Sequence, residues 1–472
     1  MTNDLTKGSP LKQILCFSVP YLIGNLFQQF YNVADMLIVG RTLDPLAYAA
    51  VGATGSLVWF ATGIIQGLTL GFSALTARFF GASDEEGVQK SFAASARLSF
   101  LISVILAALC VSFAYPMLEL MQTPQDIIHR SYSYLVWIFA GLVATALFNL
   151  LSNMIRALGD SKTPLYFLVF ACLMNIALDF LFILGFGMDT DGAGLATVLA
   201  QLFSGLLCIA YIKKKQPLLH FSFRHLKFDP AMDRALLHIG APMSFLNMVL
   251  SIGCIVVQFV SNMLGTFYIT AQATASKLIN FATQPLISFA SAVSVFTAQN
   301  YGAKQYLRVI EGSRKSVMAG FAWSGLLSLL MPFVGSFFLR LLAGDVEDAI
   351  IQKANQAVLI NTFCSFFLTP LVVWKAVLQS VGRSVSATVS GFTEVAARAG
   401  LSVLVIVLIQ KGIINEAFGF FLVCFCEPFA WLIGTLTFVY EYFSVEKMFR
   451  RMDAEEQAQQ QNDALEAQKV KL

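Results

Sequence analysis

The sequence predicts an all-α polytopic membrane protein, with twelve transmembrane helices in two parallel six-helix lobes around a central cavity. Three observations predict it. Of 472 residues, 57% are apolar and 12% charged, and the mean hydropathy is +0.71, a composition suited to lipid as solvent. Twelve apolar stretches each approach the roughly 20 residues that a helix rising about 1.5 Å per residue needs to cross the hydrocarbon. A single long polar connection, Lys213 to Arg234, divides them six and six.

The expected spans are 14–40, 47–77, 91–115, 131–157, 164–187, 192–212, 235–265, 268–298, 314–342, 351–380, 385–411 and 415–442. No small-residue cleavage pattern follows the first apolar run, so it reads as a retained helix and not a signal peptide. Positive charge sets orientation, because short basic loops stay in the cytoplasm. With the N-terminus inside, cytoplasmic segments hold 23 of the 31 Lys and Arg residues, against five in outer segments (Arg41, Arg130, Arg340, Lys353 and Lys411). A bacterial inner membrane with both termini cytoplasmic is the expected setting, and the net charge of +3 reflects topology, not a nucleic-acid partner. The eight cysteines lie in apolar helices. Cys424 and Cys426 point to different helix faces, so neither a disulfide framework nor a metal site is expected.

The halves repeat. Thr76-Ala77-Arg78-Phe79-Phe80-Gly81-Ala82 aligns with Thr297-Ala298-Gln299-Asn300-Tyr301-Gly302-Ala303 at an offset of 221, Pro20 with Pro242 at 222, and Gly159 with Gly382 at 223. Halves of six spans enter the membrane from the same side and can be related by an axis along its normal, with the substrate site between them. The expected division is an N-lobe over 1–212, a cytoplasmic linker over 213–234, a C-lobe over 235–443, and a polar cytoplasmic tail over 444–472 that carries no apolar stripe.

Ionisable groups inside spans cost several kcal/mol, from about 2.5 upward, and so mark function or pairing. In the first half these are Asp35 on helix one and Asp179 on helix five. Counting from the outer helix ends places Asp35, Asp179 and Thr197 of helix six in one layer, roughly 8 to 12 Å below the boundary. Asn175, four residues before Asp179, shares its face one turn deeper. No Lys or Arg of those helices lies within a turn of either aspartate, so a mobile cation, H⁺ or Na⁺, is the expected neutralising partner. The second half differs: Asp35 corresponds to Val257, Asn175 to Arg398 and Asp179 to Ser402. There Glu394 and Arg398, spaced i,i+4, are expected to form a structural ion pair, Lys277 and Glu427 another, and Lys375 to snorkel. Pro20 permits a kink in helix one, whose polar run Asn25, Gln28, Gln29, Tyr31 and Asn32 suggests a wet cavity. Asn149 and Asn153 of helix four and Gln66 of helix two add polar groups. Gln28, Asn32, Asn149 and Asn153 are the candidate substrate contacts.

In order along the chain, Val19-Pro20, Asp35-Met36-Leu37-Ile38-Val39-Gly40, Arg156-Ala157-Leu158-Gly159-Asp160, Asn175-Ile176-Ala177-Leu178-Asp179 and Glu394 to Arg398 resemble the multidrug and toxic compound extrusion family across nearly the whole length. The likeness is to the DinF-like type of archaea and many bacteria. It implies a cation site at Asp35, Asn175, Asp179 and Thr197, helix-one bending at Pro20 and Tyr31, and export of small, largely cationic or amphipathic organic compounds in exchange for H⁺ or Na⁺. It implies no cofactor, a monomer, and no partner beyond drug-like substrates and the bilayer. The carboxylates of helices seven and ten found in another branch of that family have no counterpart here.

A flippase of a lipid-linked precursor is the alternative, and it would favour a cavity rich in Arg and Lys, which the first half lacks. An intramembrane transferase lacks its inventory. His129, His220, His225 and His238 fall in loops or at a helix end, and no Gly-rich phosphate loop or His-x-x-Glu-His pattern is present, so no enzyme activity is expected.

Overall fold

A computed structural model of the chain describes residues 4–220, 227–343 and 347–469, apart from the side chains at 32, 33, 36, 45, 252, 254–263, 266, 343, 460 and 462–469. Part of the expected linker, 221–226, and the side chain of Asn32 therefore lie outside the described residues.

The helices are α1 (Pro10–Thr42), α2 (Pro45–Gly81), α3 (Glu85–Leu120), α4 (Gln125–Ala140), α5 (Leu142–Ala157), α6 (Lys162–Phe180), α7 (Thr190–Lys215), α8 (Pro230–Met263), α9 (Thr266–Gly302), α10 (Tyr306–Ala343), α11 (Asp348–Ser380), α12 (Ser384–Gln410), α13 (Glu416–Val423) and α14 (Cys426–Lys469). Two spans are broken, so the fourteen α-helices among the described residues make twelve crossings. α4 meets α5 at 45° around Gly141, where a Cβ would lie 2.1 Å from the Val198 side chain of α7; glycine leaves room for that side chain at the break. α13 and α14 form the other broken span. α6 runs into a π-helical turn over Leu181–Gly185. Side chains cap several helix starts: Asp44 accepts from the Ala47 N–H, Asp84 from Gly87 and Asn415 from Phe418.

Each lobe has its own core. In the N-lobe Phe72, Phe148, Met154 and Leu158 pack near the basic face of the bundle, the one bearing Lys213–Lys215, and Val39, Ile65, Leu135 and Phe139 pack towards the other. In the C-lobe Phe296, Phe438 and Phe449 fill the first region, and Ala275, Val358 and Phe420 the second. Apolar burial does not drive helices together in lipid, so lobe association rests on close packing of small residues and on interhelical hydrogen bonds. Gly67 and Gly71 of α2 meet the backbone of α8 at Ser244 and Gly240, at 2.6 and 2.5 Å from the position a Cβ would take. Alongside them Ser244 donates to the Ile64 carbonyl (2.8 Å) and Asn247 to that of Gly63 (3.0 Å).

The repeated heptapeptides pack on one another at the basic face. A Cβ on Gly81 would stand 1.9 Å from the Gln299 carbonyl oxygen, and one on Gly302 1.9 Å from that of Arg78. Since 78 aligns with 299 and 81 with 302, the contact is reciprocal, as a two-fold axis requires. The side chains follow suit: Arg78 Nε donates to the Ser380 carbonyl (2.6 Å) and Gln299 Nε2 to that of Ala157 (2.7 Å). Leu5, fully buried, adds a latch, its N–H donating to Gln299 Oε1 (3.0 Å) and its carbonyl accepting from Asn300 and Arg308.

The segment after 443 corrects the expectation of a tail without an apolar stripe. α14 continues through it, and Val445 and Phe449, one turn apart, are buried against Tyr301 and Tyr306, while Glu446 pairs with Arg314 and Arg450. The interleaved charges dilute this short stripe.

On the opposite face Arg130 bridges Asp44, between α1 and α2, and Asp189, at the start of α7, at 2.8 and 2.7 Å. The bridge anchors the ends of two helices, α1 and α7, that carry candidate site residues. The guanidinium and the Ala47 N–H hold Asp44 below its ordinary carboxylate range. A lowered folded-state value means stabilisation that is present above the unfolded value and lost as pH falls through the folded one. The melting temperature of the wild type in detergent should therefore drop on acidification below about pH 4, and Arg130→Gln should remove that component of the drop. For the lobe contact, Gly81→Ala or Gly302→Ala should lower the melting temperature by an amount equivalent to about 1–3 kcal/mol of overpacking. Gly55→Ala, with nothing within 4 Å of its Cβ, should leave it unchanged.

Candidate functional site

Inside the N-lobe, α1, α6 and α7 converge on a buried polar cluster. Asp35 stands 15 residues beyond Pro20 on α1, and Asn175 and Asp179 share the inward stripe of α6 just before its π turn. Such turns shift helix register locally and recur at functional sites. Asn175 and Asp179 are fully buried and Asp35 is 6% exposed. The two carboxyl groups lie within hydrogen-bonding reach of each other. Thr197 of α7 accepts from the Tyr31 hydroxyl (2.9 Å) and from Asn175 Nδ2 (3.4 Å). The structure thus brings together Asp35, Asn175, Asp179 and Thr197, and adds Tyr31 as a strut from α1 to α7.

Four buried oxygens in this cluster have no hydrogen-bond donor among the described residues: Asp35 Oδ1, Asn175 Oδ1, and both Oδ1 and Oδ2 of Asp179. Unmet buried acceptors are costly, and two carboxyl groups side by side repel when both are ionised. A proton or a small hard cation relieves both penalties, so the donor set fits either. Among the described residues no group of three or more His, Cys, Asp or Glu side chains could hold a metal ion; the oxygens here come from two carboxylates and an amide.

Two neighbours escape a reading of the sequence. Tyr134 of α4 is buried in the same lobe, close enough to feel the charge of both aspartates, and Gln201 of α7 turns a buried, unbonded Oε1 into the lobe. With Gln28, Tyr31 and Thr197, Gln201 lines a cavity of about 10 Å³, enough for a single water. Gln201 lies four residues after Thr197, so helical spacing was a usable signal for it; Tyr134 ends a run of four hydroxyl residues, 131–134, and nothing in the sequence singles it out from the other three.

The candidate substrate contacts divide. Gln28 faces this N-lobe cavity, Asn149 donates back to the Thr145 carbonyl (2.8 Å), and Asn153 is buried, bonded to Thr69 (3.2 Å) and Arg156 (3.0 Å). Asn149 and Asn153 are thus engaged within their own lobe. Gln66 is exposed on α2.

In the C-lobe the expected Glu394–Arg398 and Lys277–Glu427 pairs are replaced by others. Lys375 reaches Glu394 (3.0 Å) and Arg398 reaches Glu427 (2.7 Å). The i,i+4 spacing permits the helical pair, but partners on neighbouring helices satisfy both acids. Lys375 is engaged with Glu394 instead of snorkelling. Arg398 occupies space left by Gly253, whose Cβ would lie 2.7 Å from Nη1. Gly253 aligns with Tyr31 at the repeat offset of 222, so the guanidinium fills what the tyrosine ring fills in the other lobe.

Twelve spans in two lobes, with unmet carboxylates inside one of them, are the build of a membrane transporter. The MatE family profile matches residues 20–181 and 242–404, once in each lobe, and the chain belongs to that family. It is 28% identical over 395 residues to "Probable multidrug resistance protein YoeA" of Bacillus subtilis, covering 82% of each chain. Identity is 30% over 308 residues to "Probable multidrug resistance protein YpnP" of the same organism, covering 65% of this chain and 68% of the relative. Among solved structures, a MOP superfamily transporter from Pyrococcus furiosus aligns with a TM-score of 0.85 at 19% identity, covering 95% and 98% of the two chains. The Vibrio cholerae MATE transporter VcmN in its bent form aligns at 0.82 and 19%, covering 94% and 98%.

Replacing Arg398 with Leu strands Glu427, which is 31% exposed, and should destabilise the fold by less than the roughly 3–5 kcal/mol of breaking a fully buried pair. Arg398→Leu/Glu427→Leu should recover most of that in detergent unfolding, since no charge is then left unpaired.

Proposed function

We propose that the chain is a secondary antiporter that exports small, largely cationic or amphipathic organic compounds in exchange for inward H⁺ or Na⁺. The observation that supports this most directly is the set of unmet carboxylate and amide oxygens on Asp35, Asn175 and Asp179. The curated relatives named as multidrug proteins support the substrate class. The basic face is assigned to the cytoplasm, with both termini there and the chain in a bacterial plasma membrane. The lobes are taken as 1–212 and 235–443, joined by 213–234 and followed by 444–472, with the start of that last segment packed on the C-lobe.

On this reading the reciprocal α2–α9 contact is the closed inner gate, and the state described faces outward. A cation from outside enters between Asp35 and Asp179 and removes their repulsion. α1, short of one backbone hydrogen bond at Pro20, bends; Tyr31 moves with it, and its bond to Thr197 is the strut that must break. The bend narrows the cavity and releases substrate outward. Return of the cation to the inside leaves the carboxylates charged again and α1 straight. The ion acts here as co-substrate, and no cofactor is needed.

Ethidium efflux from energised vesicles tests the reading. Asp35→Asn and Asp179→Asn should each abolish efflux, and dependence of the wild type on an imposed Na⁺ or proton gradient identifies the ion. Undiminished efflux in both variants would rule out N-lobe coupling.

A further inference from the structure

Lys277 sits eleven residues after Thr266 at the start of α9, about 16 Å along the helix axis, deep within a span. The acids nearest in expectation are taken, Glu394 by Lys375 and Glu427 by Arg398. Among the described residues Lys277 makes no ion pair and no hydrogen bond, and it is exposed. An ammonium at that depth needs water or an anion beside it.

Its direction is fixed by the helix. Ala271, Ala275, Leu278 and Ala282 bury the other side of α9 in the C-lobe core. Lys277 shares a stripe with Phe281 and Ser288, and both of these touch α1 of the N-lobe: the Phe281 ring lies 6.3 Å from that of Phe30, and Ser288 Oγ accepts from Asn25 at 3.0 Å. The stripe therefore looks into the space between the lobes. α1 and α9 run antiparallel there, since 25 meets 288 and 30 meets 281. The next turn brings Lys277 level with Asp35, whose own side chain turns away into the N-lobe. Asn280, exposed, and Gln284, half-buried, continue the face, and neither side-chain amide is bonded to a described residue.

We propose that Lys277, with Asn280 and Gln284, forms a subsite on the C-lobe wall that takes the anionic group, a carboxylate or phosphate, of amphipathic substrates. The ammonium supplies charge and three donors, and the two amides add donors in line at one-turn spacing. Substrates bearing both charges are then held with the anionic end on α9 and the cationic end towards the N-lobe carboxylates at the same depth. This deepens the efflux reading by adding a substrate class, and rests on it only for the direction of transport.

The test uses a rhodamine with a free carboxylate and its methyl ester, a pair that differs in the anionic group alone. Equilibrium binding to the purified full-length protein in detergent and efflux from energised vesicles are both measured. Lys277→Gln should weaken binding and efflux of the acid about tenfold, the loss expected for one charge-assisted contact, and leave the ester within about twofold. Lys277→Arg should restore the acid, and unchanged ester binding shows that the variant is folded. Equal effects on acid and ester, no effect on either, or no binding of the acid to the wild type would each overturn the subsite. If the wild type binds the acid through Lys277 but exports neither dye, the subsite stands and the efflux reading falls. Export of the ester with no Lys277-dependent binding of the acid gives the reverse.

Discussion

A charge buried in a membrane span has to be neutralised, and the two lobes meet that requirement in opposite ways on one scaffold. In the C-lobe the cations are covalent: Lys375 and Arg398 stand against Glu394 and Glu427. In the N-lobe Asp35 and Asp179 face each other with oxygens that no described donor reaches. At aligned positions Tyr31 is replaced by Gly253, Asp35 by Val257, Asn175 by Arg398 and Asp179 by Ser402, so the two arrangements differ in all four residues. The C-lobe pocket is filled and its acids paired, while the N-lobe keeps carboxylate and amide oxygens that no described donor meets.

The reciprocal contact at the basic face joins the two lobes by backbone proximity and hydrogen bonds. Glycines at 81 and 302 let two backbones touch, and Arg78 and Gln299 each reach across to a helix-end carbonyl of the other lobe. Such a contact is made of hydrogen bonds and close packing, without an apolar driving force of its own. α1 links this contact to both lobes. It carries Asp35 and Tyr31 into the N-lobe, touches α9 through Asn25 and Phe30, and begins next to the Leu5 latch.

Much of the site could be read from the chain because depth in a membrane is a one-dimensional quantity. Span ends and a fixed rise per residue place Asp35, Asp179 and Thr197 in one layer, and the i−4 spacing adds Asn175. Rotation of each helix about its own axis is not given by depth. That is why Asn149 and Asn153 read as cavity residues although their amides are bonded within the lobe, and why Tyr134 went unnoticed. Partner choice is likewise a matter of rotation and helix packing, so Glu394 and Arg398 could be seen to be buried charges but not which groups they would meet.

By itself the sequence determined the membrane as solvent, the twelve crossings, the duplication and the layer in which the polar groups lie, because these follow from apolar length, loop charge and residue spacing along single helices. Only the tertiary structure decided that the repeated heptapeptides press on each other, that Val445 and Phe449 extend the C-lobe beyond the last span, and that Lys277 meets no acid among the described residues. Those outcomes depend on which helix faces which neighbour, a property of the packed bundle that no single helix carries.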